Sequence, residues 1–243
     1  VRTGGERRLR ILGRFVGTGD GALGTKRLCH LCAEVTAMSG AGIMLMWADS
    51  PTGSLCTTNQ MSDLVEQLQF TLGEGPCVDA YLQDWPVLEP DLANPATPRW
   101  PAFSPPAIEA GARAIFGFPL QVGAVRLGAL NLCCDRPGPL SDDQHADALV
   151  MAGIAARTVL ALQADAPPGA LAAELDEGAD FHYVVHQAAG MVAAQLEVSV
   201  GQALVRLRAY SFGNGRSLTD VAKDVVERAL HFGAGTDDEN LGE

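Results

Sequence analysis

The chain reads as an α/β sandwich, a central antiparallel sheet flanked by helices, followed by an all-α three-helix bundle. Three observations carry this reading. Two pairs of short apolar runs are joined by turn residues. Helical periodicities lie between and around those runs. Beyond a Pro167-Pro168 break, three more helical patterns follow in succession, each with a narrow, alanine-rich stripe.

In chain order, "TKRLCHLCAEVTAM" predicts a helix over 25–38, with Leu28, Cys29, Leu31, Cys32 and Val35 as its apolar stripe. "AGIMLMWAD" has the length of a buried strand. Ser50-Pro51-Thr52-Gly53 reads as the turn after it, with "SLCTTN" as the returning strand. Residues 61–72 carry Met61, Leu64, Val65 and Leu68 at helical spacing, with Ser62 as the expected N-cap. "PVLEP" is a short strand bounded by prolines, and a Pro-rich loop then leads to a short helix at "AIEAGA". "RAIFGFPLQV" and "RLGALNLCCD" make a second hairpin around Gly123. A long helix opens at Ser141, with acids in its first turn as the helix dipole favours.

The three late helices are expected at about 179–196, 199–212 and 217–231. Ser199 and Ser217 are their N-caps, Asp220 completes a capping-box pattern, and Asn214-Gly215 makes the turn. Phe181, Val184, Val185, Ala188, Met191 and Val192 form the first stripe. Val200, Ala203, Leu204, Leu207 and Ser211 form the second, and Leu218, Val221, Ala222, Val225 and Ala229 the third. So lean a core buries little area, and a module of this size is marginal alone at about 25 cal/mol per Å².

Charge is unevenly spread over the 243 residues. The net charge is −12, yet residues 1–30 hold seven Lys/Arg against two acids, 31–170 hold five against fifteen, and 180–232 hold five against five. That argues against wholesale nucleic-acid binding and leaves the last module locally neutral. No continuous apolar run of about 18 residues appears, so no membrane span is expected. The basic start lacks an apolar core and a cleavage site, so residues 1–24 are expected to be an unstructured arm and the protein cytoplasmic. Six cysteines, at 29, 32, 56, 77, 133 and 134, are then expected as reduced, packed thiols.

Chemical motifs are sparse. There is no P-loop, HExxH or G-x-S-x-G, and no cofactor or metal is implied. Gly19-x-Gly21-x-x-Gly24 with Asp49 has the outline of a dinucleotide fingerprint, but Arg8, Arg10 and Arg14 interrupt the strand it needs. Cys29-x-x-Cys32 has no second CxxC, and His182 and His186 have no third ligand at suitable spacing. "GEGPC" remains. Gly75, Pro76 and Cys77 are the candidate sensor position, where a ligand could sit against backbone or a thiol could react; a plain structural turn fits as well.

Residues 25–163 resemble a GAF domain in "LGEGPCVDA", "PVLEPDLA", "RWPAF" and "PLQVGAVRLGALNL". Residues 179–232 resemble an ANTAR domain throughout "VVHQAAGMVAAQLEVSVGQALVRLRAYSFGNGRSLTDVAKDVV". The pairing is similar to actinobacterial GAF–ANTAR antitermination regulators, with 164–178 as linker and 233–243 as an acidic tail. The resemblance implies a GAF sandwich that senses a small-molecule or redox signal. It also implies a bundle that binds twin stem-loops in nascent RNA and stops a terminator from forming, in a homodimer with no enzymatic activity and no membrane. Many ANTAR domains carry "AKG" on the first helix; this chain has Ala188-Ala189-Gly190, so a phosphate contact expected at 189 is missing.

The RNA-facing residues the resemblance points to are Arg208, Arg216, Ala189, Gln187, Lys223 and Arg206. At about 100° per residue from Val200, Arg208 falls near 80° and Arg206 near 240°, on opposite sides of the core stripe. Arg208 matches the Arg of the family's "LR" pair and ranks first. Arg216 is second, because the third helix's N-terminus beside it could also take a phosphate. Two rivals stand beside this reading. One is a protein-interaction or dimerisation regulator without RNA. The other is a GAF-type thiol redox enzyme, which needs Cys56, Cys77 and Cys133 or Cys134 to converge.

Overall fold

The computed structural model describes residues 4–16, 25–47, 50–165 and 180–233. The chain divides into two compact units, 1–171 and 172–243. In the first, helices α1 (Gly4–Val16) and α2 (Thr25–Thr36) precede strands β1 (Gly40–Trp47) and β2 (Ser50–Thr57). Then come α3 (Gln60–Leu72), α4 (Pro76–Gln83), β3 (Val87–Glu89), α5 (Ser104–Glu109), β4 (Ala114–Val122), β5 (Val125–Cys134) and α6 (Asp142–Asp165). The five strands form one sheet in the order β2-β1-β5-β4-β3, antiparallel at every pairing. This is the sheet expected from the two hairpins and the lone proline-bounded strand.

Strand alternation divides the helices between two faces. Gly117 on β4 lies so close to the carbonyl of Pro76 that a β-carbon there would collide with it, which seats α4 on that face. The next residue, Phe118, meets the His145 ring of α6 edge-on at 5.5 Å on the opposite face. Helices α3, α4 and α5 therefore cover one side; α2 and α6 pack together on the other. Val65, Ala80, Val87, Trp100, Phe103 and Ile115 belong to the buried core of the first side.

Local corrections to the sequence reading have identifiable causes. Residues 50–53 lie inside β2 rather than in a turn, with Trp47 paired to Ser50 and irregular register near Pro51 and Gly53. The N-cap of α3 is Asn59, not Ser62. Asn59 Oδ1 accepts from Ser62 N at 2.9 Å and Ser62 Oγ accepts from Asn59 N at 3.1 Å, a closed capping box with serine at its third position. Cys29 and Cys56 are joined as a disulfide between α2 and β2, contrary to the all-reduced expectation.

The amino-terminal arm also departs from expectation over residues 4–16, which form α1. Ile11 is buried, and Arg7 reaches Asp143 and Asp147 of α6 at 2.6 Å each, while Arg10 meets Asp147 at 2.8 Å. The basic stretch thus finds its partners in the acidic first turns of α6, a long-range pairing that no local pattern encodes. The glycine-rich outline at 19–24 lies outside the described residues, as does the expected linker 164–178 apart from 164 and 165, which belong to α6. Over Asp142–Leu162, α6 is long and apolar enough by composition to cross a membrane, contrary to the expectation of no such segment. In this unit Ala148, Met151, Ala155 and Val159 are buried, and α6 packs on the sheet and α2.

Candidate functional site

The second unit consists of α7 (Asp180–Leu196), α8 (Val200–Gly213) and α9 (Leu218–Val226). Residues Val185, Ala188, Ala189 and Val192 of α7 are buried. Ala203, Leu204, Leu207 and Ser211 of α8 are buried too, as are Leu218, Val221, Ala222 and Val225 of α9. The stripes hold with small changes. Val200 is 53% exposed, Ala229 is exposed beyond the end of α9, and the side chain of Phe181 is outside what is described. Helix α9 stops at Val226 rather than at 231. Arg228 takes a left-handed φ of 61°, and the chain returns so that Phe232 N donates to Gln195 Oε1 at 3.0 Å and its ring meets Tyr210 edge-on.

Helix ends fix how α8 is presented. It leaves α7 at a bend of 105° through Glu197, itself at φ 54°. Ser199 and Gln202 close a capping box: Gln202 N donates to Ser199 Oγ at 3.2 Å, and Ser199 N to Gln202 Oε1 at 3.0 Å. At the far end the buried Ser211 hydroxyl donates to the Arg216 carbonyl at 2.6 Å, and Arg216 N returns to Ser211 O at 3.0 Å. A hydroxyl in the core stripe therefore ties down the turn that carries Arg216.

The six expected RNA-facing residues do not share one surface. Arg208 is half-buried on α8, and burial lowers its guanidinium to about 10. Arg206 is exposed on the other flank of α8, Gln187 is exposed on α7 and Lys223 on α9. Ala189 is fully buried, so the expectation of a contact at that position fails: it belongs to the alanine stripe that lets α7 pack closely.

Arg216 is exposed, but its guanidinium is paired with Asp224 at 2.6 Å, which raises its pKa. The N-terminus of α9 is likewise engaged. Ser217 Oγ accepts from Asp220 N at 3.1 Å and donates to the Asp220 carboxylate at 2.7 Å, so the capping box is one-sided and an anion already sits at that end. The phosphate position expected beside Arg216 is thus held by α9's own carboxylates. Helix α8 carries two arginines and no Asp or Glu in "VGQALVRLRAYSFG". Sequence reading passed over Val205 and Phe212 on this helix, which are 59% and 70% exposed. Their exposure was legible as apolar residues lying off the core stripe.

The other candidate position, "GEGPC", is packed with the protein's own groups. Gly73 ends α3 in the left-handed conformation, and Gly75 takes φ 134°. A β-carbon at Gly75 would lie 2.6 Å from Gln69 Cγ, and Cys77 N donates to Gln69 Oε1 at 2.7 Å. Gly75, Pro76 and Cys77 are all buried, and burial pushes the Cys77 thiol well up. Glu74 accepts from Ala102 N and Phe103 N, both at 2.8 Å, and Asp79 accepts from the Trp100 indole at 3.0 Å. The acids of "GEGPCVD" therefore clasp "RWPAF" around a buried turn. Of the redox set, Cys77 and Cys133 lie near each other beside Glu66, while Cys56 is bridged to Cys29 and does not join them. Cys56 pairs with Ile43 on the α2 side of the sheet. Cys133, paired with Gly40, lies on the α3 side with its thiol pushed up by burial.

Beneath α3 lies a buried polar cluster that periodicity did not reveal. Gly42, Asn131 and Gly117 are in register across β1, β5 and β4, and the two glycines leave room over the asparagine. Glu66 descends into that space; a β-carbon at Gly42 would lie 2.7 Å from its Oε1. Neither oxygen of Glu66, neither amide atom of Asn131, nor Gln69 Nε2 has a partner of hydrogen-bond geometry. Burial pushes the Glu66 carboxyl up to about 8; Asn131 acts in the opposite direction, and Asp63 adds to the rise.

Comparison with known proteins places this geometry in context. Residues 173–226 match the model of the ANTAR domain, beginning six residues before the boundary read from sequence and ending at the close of α9. No curated protein matches the chain. Among solved structures it is similar to the GAF domain of a phosphoenolpyruvate-protein phosphotransferase from Coxiella burnetii. That match has 14% identity and a TM-score of 0.49, over 66% of this chain and 95% of that one. It is also similar to a free methionine-R-sulfoxide reductase from Neisseria meningitidis, with 15% identity and a TM-score of 0.48, over 67% and 92%. The region 173–226 of this chain is an ANTAR domain, carried behind an α/β unit built on a five-stranded antiparallel sheet.

Proposed function

We propose that this chain is a cytoplasmic, homodimeric and non-enzymatic RNA-binding regulator. Its first unit responds to a small-molecule or redox signal. Its second binds twin stem-loops in nascent transcripts and holds back a terminator hairpin. The observation that carries the reading is the ANTAR match at 173–226, on a bundle whose α8 bears cations and no carboxylate. Phosphates supply much of the affinity for any nucleic acid, and stem-loops are read by shape and by contacts to unpaired bases. A module without net positive charge can therefore act through a few cations placed beside the loop.

Within this reading Arg208 is the first contact, with Arg206, Gln187 and Lys223 at the edges. Arg216 joins only if it leaves Asp224. The test is an electrophoretic shift of the full chain on stem-loop RNAs, with competition by an unrelated duplex. Specific retention that Arg208→Ala weakens about tenfold supports the proposal. Equal retention of duplex and stem-loop, or none of either, overturns it.

A further inference from the structure

The exposed flank of α8 joins Arg208 to two apolar side chains. At about 100° per residue, Gly201, Val205, Arg208 and Phe212 fall within about 60° of one another, beside the core stripe and away from Arg206. Phe212 is 70% exposed and Val205 59%, an arrangement that core packing does not explain. Phe212 stands one turn beyond Arg208 and at the entrance to the turn at 213–217. Ser211, its neighbour, is buried and fastened to the Arg216 carbonyl, so the backbone carrying the ring is held firmly. Gly201 and Gly213, at the two ends of the helix, add no side chain, and a β-carbon at either would meet nothing within 4 Å. No carboxylate lies on α8 to repel a polyanion.

We infer that Phe212 is a base-stacking residue, and that the Val205–Arg208–Phe212 flank receives an unpaired base from the loop of an RNA hairpin. An exposed aromatic beside a guanidinium suits such a base, because the ring offers its face to any nucleobase while the cation meets the adjoining phosphate. This inference rests on the RNA-binding reading above and adds to it the residue that reads the loop.

The experiment uses the full chain and a pool of stem-loop RNAs with a constant stem and a randomised loop. The tightest binder is then remade with 2-aminopurine at each loop position in turn. Wild type should quench one loop position. Phe212→Leu should bind that RNA about tenfold or more weakly and lose the quenching, whereas Phe212→Trp should stay within about threefold of wild type. Binding to the stem alone should not change in any variant. Wild-type affinity in Phe212→Leu, or no quenched position in wild type, overturns the inference while leaving the RNA-binding reading intact. A fall in oligomeric state in Phe212→Leu overturns it in favour of a contact between copies. If wild type binds no stem-loop, both readings fall.

Discussion

Glu66 is the most consequential titrating group in the first unit, because it is buried beneath α3 with no ion-pair partner among the described residues and with only Asn131 acting to lower its pKa. Its carboxyl moves from an ordinary value of 4.5 up to about 8. The folded chain thus holds this proton more tightly than the unfolded chain does. Its contribution is complete below the ordinary value and is lost as pH rises toward the folded one. Each pH step in that window removes about 1.4 kcal/mol, so the loss is about 3 kcal/mol at pH 7 and levels off near 5 kcal/mol above pH 8. Glu66→Gln keeps the shape and does not titrate. In urea or thermal unfolding, the variant should match wild type within about 1 kcal/mol near pH 5 and exceed it by about 3 kcal/mol or more near pH 8.5. At this chain length each kcal/mol corresponds to about 2–4 °C in Tm. A stability difference between the two proteins that stays constant across this range would refute the placement of Glu66 as a buried acid that keeps its proton.

Other consequences follow from particular contacts. The Cys29–Cys56 bridge closes a loop of sequence separation 27, so reduction or Cys29→Ser should lower the stability of the first unit by about 3–4 kcal/mol, read from denaturant midpoints. Cys32→Ser should leave the effect of reductant unchanged. Arg7→Ala combined with Arg10→Ala should release α1 from Asp143 and Asp147, seen as faster tryptic cleavage at Arg8 and Arg14 with unchanged protection of the sheet. Ser199→Ala removes one half of the α8 capping box and should cost the bundle about 1 kcal/mol by circular dichroism melting.

What the sequence disclosed, and what it did not, follows the range of the interactions. Hairpins, the five strands and the three late helices are written in local periodicity and turn residues, so their existence and order were legible. The stripe Ala203–Leu204–Leu207–Ser211 was readable for the same reason. Long-range pairings were not: Arg7 finds Asp147 only because α1 lies along α6, and Cys29 finds Cys56 only because α2 lies over β2. Ala189 misled because a position matched by resemblance says nothing of which way it faces, and here it faces the core. "GEGPC" looked like a ligand cradle because tight glycines serve close packing and ligand approach alike; Gln69 and the Gly117 backbone fill the space. Phe212 was visible in the sequence, and its meaning came only with its exposure.

The central claim, that α8 of the ANTAR domain meets RNA through Arg208, is tested most directly by the salt dependence of stem-loop binding. The affinity of wild type should fall linearly with salt on logarithmic axes, and Arg208→Ala should reduce that slope by about one. A binding constant indifferent to salt, or a slope that Arg208→Ala leaves unchanged, would contradict it.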